Sequence, residues 1–178
     1  MPLLHWLMWY DYADLHQLSS LWLGFTEDYT ELRKNSIGSL YNLTNFELDT
    51  HSLNNTANEV VGDLINKNKP KAKSVARYYK DMGSVIDRCK DLLKTNGRIL
   101  FVIGDTEYKR VKMQNAKFVC EELLDKGFII EMVCRRNISN KYLTPYRSDD
   151  GKFSNNKLDR QIYSKEFIVV GRKKWVKI

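Results

Sequence analysis

Apolar residues through the middle of the chain alternate between two spacings. Val75, Tyr79, Met82, Val85, Ile86, Cys89, Leu92 and Leu93 fall on one helical face, with Lys80, Asp81, Asp87, Lys90 and Asp91 opposite, and this predicts an amphipathic helix. Thr95-Asn96-Gly97 ends it, with Gly97 suited to the left-handed stop that follows a helix. Ile99-Leu100-Phe101-Val102-Ile103 comes next, between Arg98 and Gly104. That run is too short for a buried helix and reads as a strand buried on both faces. Ala116, Val119, Cys120, Leu123 and Leu124 return to the helical spacing, Gly127 closes that helix, and Phe128 to Cys134 reads as a second strand. Glu166 to Gly171 reads as a last buried strand. The order helix, strand, helix, strand predicts an α/β fold with helices on both faces of the sheet. In open sheets of that kind ligands bind beyond the carboxyl ends of the strands, so chemistry is expected at Gly104-Asp105-Thr106.

The amino-terminal part reads as mostly helical. Tyr12, Leu15, Leu18, Leu21, Trp22 and Phe25 recur at helical spacings, predicting a helix from Tyr10 to Gly24 with a heavy apolar face. A shorter helical segment runs from Glu27 to Lys34, and Val60, Val61, Leu64 and Ile65 mark a helix from Thr56 to Asn66. Residues 39–56 are polar and aperiodic and read as loop. The 178 residues make one domain, mostly helical over 1–70 and α/β over 71–178, with no internal repeat.

Charge sharpens this picture. A net charge of +7 points to a polyanionic partner, most often nucleic acid. Lys67, Lys69, Lys71, Lys73, Arg77 and Lys80 stand together with no acidic residue among them, a run that attracts phosphate or simply keeps a helix start in water. Lys109, Arg110, Lys112 and Lys117 give the segment after the central strand a positive tilt. Between Arg135 and Arg147 basic residues alternate with Tyr142 and Tyr146, a combination that pairs with phosphate and stacks on bases. Cys89, Cys120 and Cys134 are an odd count without Cys-x-x-Cys spacing, which predicts buried reduced thiols and a cytoplasmic setting. The apolar opening from Met1 to Tyr10 has no basic leader and meets Asp11 well short of a membrane span, so neither signal peptide nor anchor is expected. No glycine-rich phosphate loop, metal-ligand spacing or nucleophile with a partnered base is present, and His5, His16 and His51 are scattered.

Resemblance carries the reading further. The segment Tyr10-Asp11-Tyr12-Ala13-Asp14-Leu15-His16-Gln17-Leu18-Ser19-Ser20-Leu21-Trp22-Leu23-Gly24, followed by Glu31-Leu32-Arg33-Lys34-Asn35-Ser36-Ile37-Gly38-Ser39, resembles the stretch after the catalytic Pro-Pro-Tyr tetrapeptide of a bacterial enzyme family. These are S-adenosylmethionine-dependent, site-specific DNA methyltransferases acting on N6 of adenine or N4 of cytosine. Leu92 to Arg98, Ile103-Gly104-Asp105, Arg136-Asn137-Ile138, Lys141 and Leu143-Thr144-Pro145 with Arg147 look like the same family, so the likeness spans Tyr10 to Lys173.

The resemblance implies part of a Rossmann-like class I methyltransferase sheet. Gly97 to Asp105 would be its fifth strand, Phe128 to Arg135 its sixth, and Glu166 to Arg172 its seventh, inserted antiparallel between them. It also implies double-stranded DNA as partner, Tyr10, Asp11 and Tyr12 lining the base pocket, and Arg33, Lys34, Arg136, Lys141 and Arg147 gripping the backbone. Counting back places the tetrapeptide at Leu3-Leu4-His5-Trp6, where only Trp6 keeps a ring and Leu3 offers no acceptor for the target amino group. The Phe/Gly-x-Gly loop that holds S-adenosylmethionine is not in the sequence. The chain therefore looks like the carboxyl-terminal half of such an enzyme, inactive alone and with no catalytic or cofactor-binding residue of its own. It would serve as a subunit beside a second chain carrying the cofactor half, or as a non-catalytic nucleic-acid-binding remnant; an RNA methyltransferase fragment is a third reading.

Overall fold

The computed structural model describes residues 16–34, 36–37, 48, 50–138, 146–148, 153–161 and 165–174. Four helices come first: α1 Gln17–Trp22, α2 Tyr29–Lys34, α3 Asn55–Ile65 and α4 Lys69–Leu92. Asn54 and Asn68 start the two longer ones, their side chains accepting the N–H of Ala57 and of Lys71, donors that the first turn of a helix cannot satisfy internally. β1 Arg98–Gly104 follows, then the short hairpin β2 Thr106–Tyr108 and β3 Val111–Met113, helix α5 Asn115–Asp125, and β4 Phe128–Asn137. β5 Tyr146–Arg147, β6 Phe153–Ser154 and β7 Arg160–Gln161 form a small antiparallel sheet, and β8 Lys165–Lys173 ends the described chain.

The main sheet has the order β1-β8-β4, with β8 antiparallel to both neighbours. β1 and β4 consequently run parallel to each other, joined by a crossover that carries α5, because parallel strands cannot be linked by a tight turn. α5 lies close on the sheet: a Cβ at Gly171 would stand 3.2 Å from a Leu123 methyl and 3.3 Å from Cγ2 of Ile99. Ile103, Val169 and Phe128 on that face are buried, with Ile99, Phe101, Ile130 and Phe167 packed beside them. Tyr79 of α4 and Phe118 of α5 bring their rings within 4.4 Å. From α3, the Thr56 N–H and hydroxyl both donate to the Glu121 carboxylate at 2.9 and 2.7 Å. One core therefore joins α3, α4 and α5 to a single side of the sheet.

The structure is mixed α/β with an antiparallel strand between two others, and the three long strands and helices α3 to α5 lie where periodicity puts them. Several expectations are corrected. The described helices do not cover both faces of the sheet. Every sheet residue of the core faces α5, while on the opposite face Leu100 is 59% exposed and Met132 44%. Cys134 is exposed on that same face, and Cys89 and Cys120 are half-buried rather than buried. The left-handed residue after α4 is Asn96, with φ 62°, not Gly97. Gly97 is needed for another reason, since a Cβ there would come 2.7 Å from the Lys94 carbonyl. α1 buries none of its residues, leaving Leu18 83% and Trp22 90% exposed.

Candidate functional site

Beyond Gly104 the chain opens onto a cleft of about 410 Å³ at the carboxyl end of β1. Asp105, Thr106 and Glu107 form one side, and Lys112, Met113 and Gln114 form the approach to α5. Arg135 of β4, Lys165 and Phe167 of β8, and Gln161 of β7 close it. This is the position that the alternation of helices and strands marked at Gly104-Asp105-Thr106.

Asp105 holds the cleft together. Its carboxylate accepts the N–H of Ala116 at 3.0 Å and the N–H of Asn115, capping α5 from the end of β1 while Gln114, at the helix start, makes no capping bond. The Asn115 amide donates to the Gly104 carbonyl at 2.9 Å and accepts from the Tyr79 hydroxyl at 3.3 Å. Burial pushes the Asp105 carboxyl above the usual carboxylate range, and the two amides pull it part of the way back. Tyr79 is pushed upward by burial and then by the Asp105 charge, which keeps its hydroxyl a donor. These groups position the strand end against the helix.

Charges around the cleft are unevenly satisfied. Glu107 is paired with Arg160 of β7. The Thr106 hydroxyl is buried, its residue 7% exposed, and has no partner among the described residues. Lys112, Arg135 and Lys165 are exposed and, among the described residues, make no hydrogen bond or ion pair. The arginines elsewhere on the sheet are differently placed: Arg98 and Arg172 share Glu131, each at 2.6 Å, and Arg136 sits on Glu166.

Of the residues implied by resemblance, Tyr10, Asp11, Tyr12 and Lys141 lie outside the described residues. Arg33 and Lys34 end α2, with Lys34 against Glu31. Arg147 is 6% exposed and donates to the Tyr146 carbonyl at 3.0 Å. None of these, nor Arg136, lines the cleft. Arg135 lines it because of a β-bulge. Before the bulge Ile130 pairs with Gly171 on the α5 face; after it Val133 pairs with Val169 and Arg135 with Phe167 on that face, while Arg136 pairs with Glu166 on the other. One extra residue reverses which members of a strand face the helix, so adjacent arginines point opposite ways. The lysine run is partly structural as well. Lys71 lies over the Tyr108 ring at 5.6 Å, and burial pushes its ammonium down to about 8; Lys67 donates to the Lys109 carbonyl at 3.2 Å.

Among the described residues no cluster of side chains is arranged to hold a metal ion, and no helix is long and apolar enough to cross a membrane. None of the family models, curated proteins or solved structures compared with the chain matches it.

Proposed function

We propose that this chain forms the base-facing part of a DNA amino-methyltransferase, binding duplex DNA while S-adenosylmethionine is held by a second chain or segment. The observation that supports the reading most is the strand order. A final strand lies antiparallel between two strands that run parallel to each other, the order that the resemblance implies for the last three strands of a Rossmann-like methyltransferase sheet. The cleft at the carboxyl end of β1 lies where such a sheet binds its ligands.

The cleft does not fit the methyl donor. S-adenosylmethionine carries a sulfonium and an ammonium against one carboxylate, a net positive charge that Lys112, Arg135 and Lys165, unpaired among the described residues, would repel. They suit an anion. The donor, when bound by its own residues, supplies the methyl group; this chain's part is to bind and orient the DNA, since positioning and electrostatics around the base supply such catalysis. Tyr10, Asp11 and Tyr12 are assigned to the base pocket, and Arg33, Lys34 and Lys141 to the DNA backbone. Arg136 and Arg147 are assigned first to holding β4 and the small sheet, through Glu166 and the Tyr146 carbonyl. The reading places the chain with DNA in the cytoplasm.

Tritium transfer from methyl-labelled S-adenosylmethionine to DNA tests it. The chain alone is expected to transfer none, and a mixture with the polypeptide encoded immediately upstream is expected to label DNA. Transfer by the chain alone, or no labelling by the mixture, refutes the division of labour. A non-catalytic nucleic-acid-binding module is the second reading, favoured by the cleft cations that are unpaired among the described residues; salt-sensitive DNA binding without labelling by the mixture would select it.

A further inference from the structure

We propose that the cleft at the end of β1 binds one nucleotide unit of a nucleic-acid strand, with the phosphate on Lys112, Arg135 and Lys165 and the base against Phe167. This rests on the nucleic-acid reading above and goes beyond it, because none of these residues is among those the resemblance implies for DNA contact. The three cations come from β3, β4 and β8. Their convergence is made by the fold and is not a run of charge in the sequence.

The carboxylates of the cleft are already engaged. Glu107 is neutralised by Arg160, and Asp105 accepts two amide N–H groups of α5. That leaves three positive side chains facing one space, none of them in an ion pair among the described residues, although Lys112 stands across the hairpin from Glu107. Solvated lysines on a convex surface keep out of one another's way; here a bulge in β4 turns Arg135 toward Lys165 and Phe167 when an unbroken strand would have turned it away. The repulsion such a cluster builds is relieved by an anion.

Size and remaining polarity narrow the anion. A space of about 410 Å³ exceeds what a bare phosphate fills and falls in the range of small-molecule sites. Phe167 is half-buried, so its ring is held by the core while part of it remains available to stack on a base. Among the described residues the Thr106 hydroxyl has no partner and Gln114 makes no capping bond, which leaves a donor and an amide beside the space to meet base or sugar polar groups. A free nucleotide and a residue of a strand share this chemistry.

Fluorescence anisotropy with a labelled duplex, a single-stranded oligonucleotide and the intact chain reads out the strand source, and the methyl resonance of Met113 during an AMP titration reads out the free nucleotide. Lys112→Ala, Arg135→Ala and Lys165→Ala remove exposed side chains, and unchanged thermal midpoints verify that each variant is folded. Each is expected to weaken DNA binding by about five- to tenfold near 0.1 M salt, and the three together to lower the slope of log K against log salt by about one, the share of one phosphate. Arg88→Ala, which removes the same charge from the exposed side of α4, is the control and is expected to change neither. Cleft variants that bind DNA like the wild type overturn the proposal and leave the DNA reading standing. If the wild type ignores both oligonucleotides yet AMP shifts Met113 and Arg135→Ala abolishes the shift, the nucleotide site stands and the DNA reading falls. No response to any probe overturns both.

Discussion

Arg136→Ala should cost stability and spare binding, the reverse of its neighbour Arg135. The Glu166 residue is 7% exposed, and the Arg136 guanidinium, itself 65% exposed, is the partner of its carboxylate. Removing that partner leaves a buried charged acceptor incompletely solvated, which costs about 1–3 kcal/mol; the exposure of the arginine lets water replace part of the loss and puts the expected value at about 1–2 kcal/mol. For a chain of this size about 1 kcal/mol moves the melting midpoint by about 2–4 °C, so a drop of about 2–8 °C is expected by circular dichroism. A double-mutant cycle isolates the pair, since in a Glu166→Gln background the same Arg136→Ala change should cost no more than about 0.5 kcal/mol. An Arg136→Ala variant that melts with the wild type and loses DNA affinity as Arg135→Ala does would refute the facing assigned to the two arginines, and with it the consequence drawn from the bulge.

Further outcomes follow from individual positions. Lys109 and Arg110 occupy the hairpin turn with φ 47° and 62°, a conformation that suits Asn-Gly, so Lys109→Asn with Arg110→Gly should raise stability by about 1 kcal/mol in thermal melts; a fall would mean that the side-chain interactions lost, among them the Lys109 ammonium 5.9 Å from the Tyr108 ring centre, matter more. Asp105→Asn keeps a carbonyl acceptor for Ala116 and removes the charge. Because the folded carboxyl lies above its unfolded value, its contribution is fully present below the unfolded pKa and is lost as pH rises through the folded one, so the variant should gain on the wild type as pH rises from the ordinary carboxylate range through the folded pKa. A shrinking difference over that range would contradict the sign. Leu100→Lys, at a site 59% exposed on the open sheet face, should change the unfolding free energy by no more than about 0.5 kcal/mol; a loss of several would mean that this face is covered in solution.

Much of the fold was legible because burial and periodicity coincide in helices α3 to α5 and in the strands at Ile99, Phe128 and Phe167, where apolar residues meet one core. The face left open was not legible. An unbroken apolar run such as Ile99 to Ile103 looks the same whether one side of it or both are covered, and only the exposure of Leu100 and Met132 tells the difference. The β2–β3 hairpin escaped for want of a turn signal, since Lys109-Arg110 carries positive φ without glycine or asparagine. In the cleft, Gly104-Asp105-Thr106 could be placed from strand order alone, but its cations could not. Lys112, Arg135 and Lys165 are far apart in sequence, and the choice of Arg135 over Arg136 depends on a bulge that no local pattern announces. The capping of α5 by Asp105 was hidden as well, because the capping residue lies just after β1, ten residues before the first residue of the helix, and not at the helix start.

In the proposed division of labour the chain grips DNA and leaves the methyl donor to other residues. Titrating the purified chain with a duplex oligonucleotide across a range of salt, with and without S-adenosylmethionine, tests that most directly. The predicted result is binding that weakens steeply as salt rises, unchanged by S-adenosylmethionine, with no heat when that compound is added alone. Heat of cofactor binding to the isolated chain, or no affinity for DNA at low salt, would contradict it.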